Sequence, residues 1–225
     1  MWISKEGDVR KREFLDAALE IFYEKGYEKT TINDILAKVG VTKGSFYYYF
    51  KSKEDIFKEL ALQQAERIVS IVESICAGME TGAVEKFNSI IHEIYEIKIE
   101  NISSAIKSNK MMTSEENSLL SGKIIENVMG RAKPLYTGLI KQGVDEGVFD
   151  TVYLEESAEM YIYLVNRLKE SIMRMLVSNE SKPMGFEDIG RNVLFYEDLI
   201  NKMLGTKKAR IDLSEPVLRY INTIK

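Results

Sequence analysis

The stretch Thr31–Phe50, TINDILAKVGVTKGSFYYYF, leaves the backbone few choices. Thr31 is an N-cap residue with Asp34 three positions on, close to a capping box. Ile32, Ile35, Leu36 and Val39 then recur at helical spacing. Gly40 ends this helix, because glycine takes the left-handed conformation beyond a helix C-terminus without steric cost. Val41 packs into the turn, and Thr42 caps a second helix running from Lys43 to Tyr49 or Phe50. The spacing therefore predicts two short helices joined by a tight turn.

The second helix carries two unlike faces. At about 100° per residue, Phe46, Tyr49 and Phe50 share one side, while Gly44, Ser45, Tyr47 and Tyr48 share the other with Lys43 on its flank. One side anchors in a core. The other offers a cation, hydroxyls and a bare glycine, which suits phosphates and base edges in a DNA groove. Gly44 permits close backbone approach, and Lys43 with the freed amides of the helix N-terminus favours a phosphate. An ordinary helical hairpin with exposed tyrosines fits the same pattern.

The flanking residues add a resemblance. The stretch from Phe14 to Leu60 contains ALEIFYEKGYEKTT, then Ile32, Ile35, Leu36, Gly40 and Val41 at the spacing IxxIAxxxGV, then KGSFYYYFKSKEDIF. As a set these resemble the DNA-binding domain of the TetR family of transcriptional regulators, with Leu36-Ala37 standing where Ile-Ala is usual. The resemblance covers the first part of the chain only. It implies that Thr31, Thr42, Lys43, Tyr47, Tyr48 and Lys53 contact phosphates while Gly44, Ser45 and Tyr47 approach bases. Tyr49 stands where the family often has histidine or another polar aromatic.

Composition bounds the rest. A chain of 225 residues, 45% hydrophobic and 29% charged, has the balance of a globular protein with one large or two small domains. Three prolines and no alternating Val/Thr-rich runs argue for an all-α fold. The net charge of −4 is not that of a non-specific nucleic-acid binder, so DNA binding has to rest on local charge. Arg10-Lys11-Arg12 and Lys51/Lys53 bracket the second helix of the motif, although acids balance the bases over this region. Cys76 is the single cysteine, which rules out an intramolecular disulfide. The N-terminus lacks the apolar stretch of a signal peptide and no apolar run reaches membrane-span length, so a cytoplasmic location is expected.

The predicted architecture is a three-helix helix-turn-helix head over residues 8–55, followed by a larger helical ligand-binding and dimerisation domain over residues 56–225. Helix 1 is expected from Asp8 to Lys25, stopped by Gly26, and Ser52 with Asp55 caps a long helix to about Cys76. A helix from Ala83 to Ser108, a connection at Asn109–Thr113 and a capping box of Thr113 with Glu116 follow. The next pattern runs from Ser114 to Glu146, with a kink or break expected at Gly130–Pro134. Gly147 closes it and Val148-Phe149 tuck back.

The last two long helices repeat apolar residues by fours and threes: Leu154, Ala158, Tyr161, Val165, Leu168, Ile172 and Met175, then Ile189, Val193, Tyr196, Ile200 and Met203. A sustained 3.5 period makes a helix–helix seam. Paired about a twofold axis, two such helices form a four-helix bundle between subunits; alternatively both pack within one subunit. The family resemblance favours the homodimer. It also implies a small-molecule effector held between the middle helices, and Tyr95, Met111, Met112, Tyr136, Tyr163 and Asn166 are the candidate lining residues. Their softness suits an apolar or aromatic ligand. Ser181–Gly185 is the expected loop between the last two helices, and the tail from Thr206 suggests no function.

Other chemistry finds little support. His92-Glu93 with Glu96 lacks the second histidine of a helical zinc motif, and no phosphate-cradling glycine loop is present. One histidine and one cysteine cannot supply a nucleophile set, so no metal, cofactor or catalysis is expected. The expected function is a dimeric, ligand-responsive regulator, a repressor by family habit, whose palindromic operator on double-stranded DNA has half-sites about 34–36 Å apart. The rival is a small-molecule-binding helical protein or enzyme with a vestigial head.

Overall fold

The computed structural model describes residues 2–78, 80–113, 118–177, 186–207 and 209–224. Among these it is all-α, with ten helices and no strand: α1 (Trp2–Lys25), α2 (Ile32–Val39), α3 (Lys43–Tyr49), α4 (Lys53–Gly78), α5 (Ala83–Glu100), α6 (Ile102–Thr113), α7 (Ser118–Asp145), α8 (Leu154–Val177), α9 (Phe186–Leu204) and α10 (Ser214–Ile224).

Two compact units emerge. The first holds residues 1–66 and 103–126, the second residues 67–102 and 127–225. The expected division at 55/56 left α6 with the larger domain, whereas the compact head takes it in. Gln64 Nε2 donates to Ser108 Oγ at 3.2 Å, and the Lys107 amine lies 5.9 Å from the Tyr23 ring. Contacts of that kind, made across 44 and 84 residues of sequence, have no local signature.

The core of the first unit is aromatic. Phe14 from α1 meets Phe46 edge-on at 5.7 Å and Phe50 at 6.1 Å, while Tyr27 bridges Phe22 and Phe57 at 5.2 Å each. Leu15, Ala18, Ile35, Leu36 and Ile56 close around them. Gly26, at φ 83°, ends α1. Thr30 is buried with its hydroxyl donating to Gly26 O at 2.7 Å, which satisfies that hydroxyl in the core.

In the second unit α8 packs against α9, and α10 lies on both α5 and α9. Phe87, Tyr136, Phe149 and Tyr161 form the aromatic centre, with Tyr136 and Tyr161 rings 4.8 Å apart and Phe87 5.0 Å from Tyr161. Beyond α7, Gly147 takes φ 70° and Val148 N–H donates back to Gly143 O at 2.9 Å. This is the expected tuck-back, and it lays Phe149 flat over Gly143, where a Cβ would sit 2.2 Å from the ring. The tail is a packing element. The buried Asn201 amide grips Ile211, donating to its carbonyl at 2.8 Å and accepting from its N–H at 3.0 Å. Glu197 accepts from Leu213 N and Ser214 N at 3.0 Å, and α10 then buries Val217, Tyr220 and Ile221.

Several boundaries differ from expectation. α1 begins at Trp2 rather than Asp8. The single helix expected over Ala83–Ser108 is interrupted at Asn101, whose side-chain amide donates to Ile97 O at 3.2 Å and whose φ of −116° leaves the helical region. Helix α6 continues to Thr113 where a connection was expected. α7 passes through Pro134 without the expected break. Pro134 and Gly130 both lie on the exposed side, so water reaches the carbonyl that loses its partner. The Thr113–Glu116 box and the Ser181–Gly185 loop lie outside the described residues.

Candidate nucleic-acid interface

The turn that presents α3 is held by a closed set of bonds. Thr31 N–H donates to Asp34 Oδ2 at 2.7 Å, and Asp34 N–H donates to Thr31 Oγ1 at 3.2 Å. The Lys25 amine adds a pair to the same carboxylate at 2.6 Å. Lys25, with the Thr31 hydroxyl and amide, holds the Asp34 carboxyl well below the usual carboxylate range. Gly40 closes α2 at φ 77°, its N–H donating to Leu36 O, and Val41 N–H donates to the same carbonyl. The capping box and glycine stop read from the sequence are both present.

α3 then splits into the two expected faces. Phe46 and Phe50 are buried in the aromatic core, whereas Thr42, Lys43, Gly44, Tyr47 and Tyr48 are exposed, Tyr48 to 78%. Ser45 is half-buried at the edge. Thr42 makes no side-chain cap bond, so its hydroxyl and the first amides of α3 are not engaged with each other. A Cβ on Gly44 would meet only the Thr42 hydroxyl at 4.0 Å, so this side of the helix is bare. Lys43 Nζ stands 5.9 Å from the Tyr47 ring. Tyr49 turns the other way, its ring 5.9 Å from Phe14.

Two expected phosphate contacts have internal work. Lys53 Nζ donates to Tyr27 O at 2.6 Å and lies 4.1 Å over the Tyr27 ring, so it ties α4 to the turn after α1. The Thr31 hydroxyl is engaged with Asp34 at 2.7 Å. Arg10, Lys11, Lys25, Lys38 and Lys58 are each paired with a carboxylate: Glu13, Glu59, Asp34, Glu20 and Glu54 respectively. Among the described residues, Arg12, Lys29, Lys43 and Lys51 are exposed cations of this unit with no carboxylate in salt-bridge range. Lys29 was missed by the sequence reading, since nothing local separates it from its paired neighbour Lys25.

In the larger unit the residues expected at the subunit contact are covered to different degrees. Ala158, Tyr161, Leu168, Ile172, Ile189, Val193 and Ile200 are buried within the chain itself, and Leu154, Val165, Met175, Tyr196 and Met203 are half-buried. The 3.5 period marks the seam of α8 on α9, and a residue buried there has no surface left for a second subunit. Exposed instead are Met160 and Tyr163 on α8 and Leu194, Phe195 and Leu199 on α9. Tyr163, expected to line an effector site, is 56% exposed and faces outward. Tyr95 and Tyr136 are buried, where desolvation pushes both phenols well up. Asn166 is half-buried and donates to Ile162 O at 2.9 Å. The side chains of Met111 and Met112 lie outside the described residues. An open hollow of about 500 Å³ beside α5 and α10 is lined by His92, Glu93, Asp212 and Glu215 among others, and by none of these candidates. His92 Nε2 lies 3.9 Å from Glu96, which Arg219 already holds at 2.7 Å. No helix of the described residues is long and apolar enough to cross a membrane.

Comparison with known proteins covers both units. Residues 14–60 match the family of bacterial regulatory proteins called the tetR family, and residues 98–176 match the tetracyclin repressor-like C-terminal domain. The fatty acid metabolism regulator protein of Bacillus subtilis is 27% identical over 192 residues, which span 77% of this chain and 97% of that one. The transcriptional repressor AcnR of Corynebacterium diphtheriae is 26% identical over 165 residues, spanning 70% and 81%. Among solved structures, a TetR-family regulator from Syntrophomonas wolfei superposes with a TM-score of 0.65 at 24% identity over 86% of this chain and 95% of that one. The regulator FadR of Bacillus subtilis, in complex with stearoyl-CoA, gives 0.62 at 18% over 86% and 97%. At these identities the superpositions establish the fold.

Proposed function

The chain belongs to the TetR family of bacterial regulatory proteins, a ligand-responsive class of DNA-binding transcriptional regulators, and on that premise we propose that it is a dimeric repressor of a palindromic operator. The observation that carries the reading is the exposed side of α3. Thr42, Lys43, Gly44, Tyr47 and Tyr48 present a cation, hydroxyls and bare backbone on a helix that Phe46 and Phe50 lock into the core. Such a helix enters a major groove, Tyr47 and Gly44 at the base edges, with Lys43 and Tyr48 on phosphates. Arg12, Lys29 and Lys51 supply further phosphate contacts.

The dimer forms through the outer sides of α8 and α9, where Met160, Tyr163, Leu194, Phe195 and Leu199 leave apolar surface in water. The effector is a small molecule with an extended apolar part, held in the larger unit. The FadR complex with stearoyl-CoA and the likeness to a fatty acid metabolism regulator over 77% of this chain support this class. Only an effector with different affinity for DNA-competent and DNA-incompetent states can release the operator. Helix α4 runs unbroken from the first unit into the second, so it is the covalent route by which occupancy is felt at the head.

The test is binding of the purified protein to DNA flanking its coding region, across a salt series, with Lys43→Ala/Tyr47→Ala as control. Tight, salt-dependent binding that the double variant loses is the expected result. Binding no better than to random DNA, together with an empty genome-wide selection, would end the regulator reading.

A further inference from the structure

The exposed side of α3 is poor in the side chains that read bases by paired hydrogen bonds. Arginine or lysine reads guanine in this way, asparagine or glutamine reads adenine, and aspartate or glutamate accepts from cytosine. From Val41 to Lys53 the chain holds no Arg, Asn, Gln, Asp or Glu. Lys43 stands on the flank, its amine 5.9 Å from the Tyr47 ring. Lys51 and Lys53 lie beyond the helix, and Lys53 is spent on the Tyr27 carbonyl. The hydroxyls of Thr42, Ser45, Tyr47 and Tyr48 each donate and accept, so they fit any base edge and separate bases weakly.

What this side offers instead is apolar surface around bare backbone. Tyr47 is 49% exposed and Tyr48 78%. They follow Gly44 by three and four residues, which places all three on neighbouring positions of the helix surface. Helical side chains lean towards the N-terminus, so both rings lean over the turn that begins at Gly44. No ring atom comes within 4 Å of the place a Gly44 Cβ would occupy; only the Thr42 hydroxyl does, at 4.0 Å. The glycine therefore floors a notch between two aromatic flanks. Those flanks are held from behind. Tyr47 meets buried Phe46 edge-on at 5.4 Å, Tyr48 meets Tyr49 at 4.8 Å, and Tyr49 rests 5.9 Å from Phe14. Rings fixed in this way lose little freedom when a group enters between them. In the major groove the apolar group that a base pair presents is the C5 methyl of thymine.

We propose that the notch over Gly44, between Tyr47 and Tyr48, seats a thymine methyl, so that each half-site is recognised at this position by apolar contact with a T·A pair rather than by hydrogen bonds. The proposal rests on the reading of α3 as the groove-entering helix and adds the chemical group of the DNA by which it discriminates. Tyr48 meets its phosphate through the hydroxyl at the end of the ring, which leaves the ring flank to the methyl.

The test starts from the full-length protein and a random duplex pool, from which bound sequences are selected. In the selected operator each thymine is replaced in turn by deoxyuridine, which removes the methyl and keeps every hydrogen-bonding group and phosphate. At one thymine of each half-site affinity should fall about fourfold, the factor that burial of one methylene-sized group is worth. The slope of log K against log salt should stay unchanged, because no phosphate contact is lost. A 5-methylcytosine·guanine pair at that position restores the methyl on the wrong hydrogen-bonding pattern, and it should bind more tightly than a cytosine·guanine pair. Gly44→Ala fills the notch and should bind thymine and deoxyuridine operators alike. Tyr47→Phe and Tyr48→Phe keep the rings and should retain the preference. Should Gly44→Ala bind no operator, Tyr48→Ala removes one flank and carries the same comparison. A helix that reads hydrogen bonds gives the opposite pattern, deoxyuridine behaving as thymine and 5-methylcytosine as cytosine. Either of those results, or a Gly44→Ala variant with the wild-type preference, would overturn the proposal. A selection that enriches no sequence would sink the regulator reading and the proposal with it. An enriched operator indifferent to deoxyuridine throughout would leave the regulator standing and remove the methyl contact alone.

Discussion

At the scale of single residues, charge partners decide roles that residue type leaves open. Lys43 and Lys53 are ten positions apart in one motif, yet one amine faces water and the other is spent on the Tyr27 carbonyl. Lys43→Ala should therefore leave the melting temperature unchanged and lower the slope of log K against log salt by about one per half-site. A filter-binding series at several salt concentrations checks this. Asp34 has a depressed carboxyl because Lys25 and Thr31 favour its ionised form, so its contribution to stability is complete above the unfolded value and fades as pH falls. Asp34→Asn should be less stable than wild type at neutral pH, and the gap should begin to narrow below about pH 4, closing only once the folded carboxyl itself protonates. Thermal melts of both proteins at pH 7 and pH 3 decide it; an equal gap at both would show that Asp34 acts by shape alone. Lys98 carries the opposite sign. Its amine is lowered by desolvation to about 7 from 10.5, so between those values the unfolded chain binds more protons and stability rises with pH. Lys98→Met lacks this titration, so its melting temperature relative to wild type should fall as melts are taken from pH 7 towards pH 10.5.

At the scale of elements, the short helices were legible and the long ones only partly so. Thr31, Asp34 and Gly40 mark both ends of α2 because a cap and a stop are local chemistry, complete within a few residues. Pro134 and Asn101 were not legible in the same way. A proline on the exposed side of a helix and an asparagine folded back on its own helix act through solvent exposure, which has no sequence pattern. Two glycines of α7 separate local from tertiary effects. Gly138 is exposed with no atom near its Cβ position, so Gly138→Ala should gain up to about 1 kcal/mol from helix propensity. Gly143 has the same intrinsic preference, but an added Cβ would sit 2.2 Å from the Phe149 ring. Overpacking of about 1–3 kcal/mol or more should outweigh the propensity gain. Denaturant melts of the two variants should therefore move in opposite directions.

At the scale of the whole molecule, the seam that suggested a dimer turned out to be the packing of α8 on α9 inside one chain. The outer sides of those helices carry the proposed contact instead. Phe195→Glu, at a position 59% exposed, should leave the fold intact and yield a monomer by analytical ultracentrifugation, with operator affinity falling because two half-sites are no longer bound together. A dimer that persists would place the contact elsewhere. The sequence by itself determined the helix-turn-helix, its inward and outward faces and the all-α class, since capping, glycine stops and apolar period act over one or two turns. Which lysines are free for DNA and which seam residues are spent inside the chain were decided by tertiary structure. Each depends on a neighbour tens of residues distant, and the period of a helix states that a face is covered without stating by what.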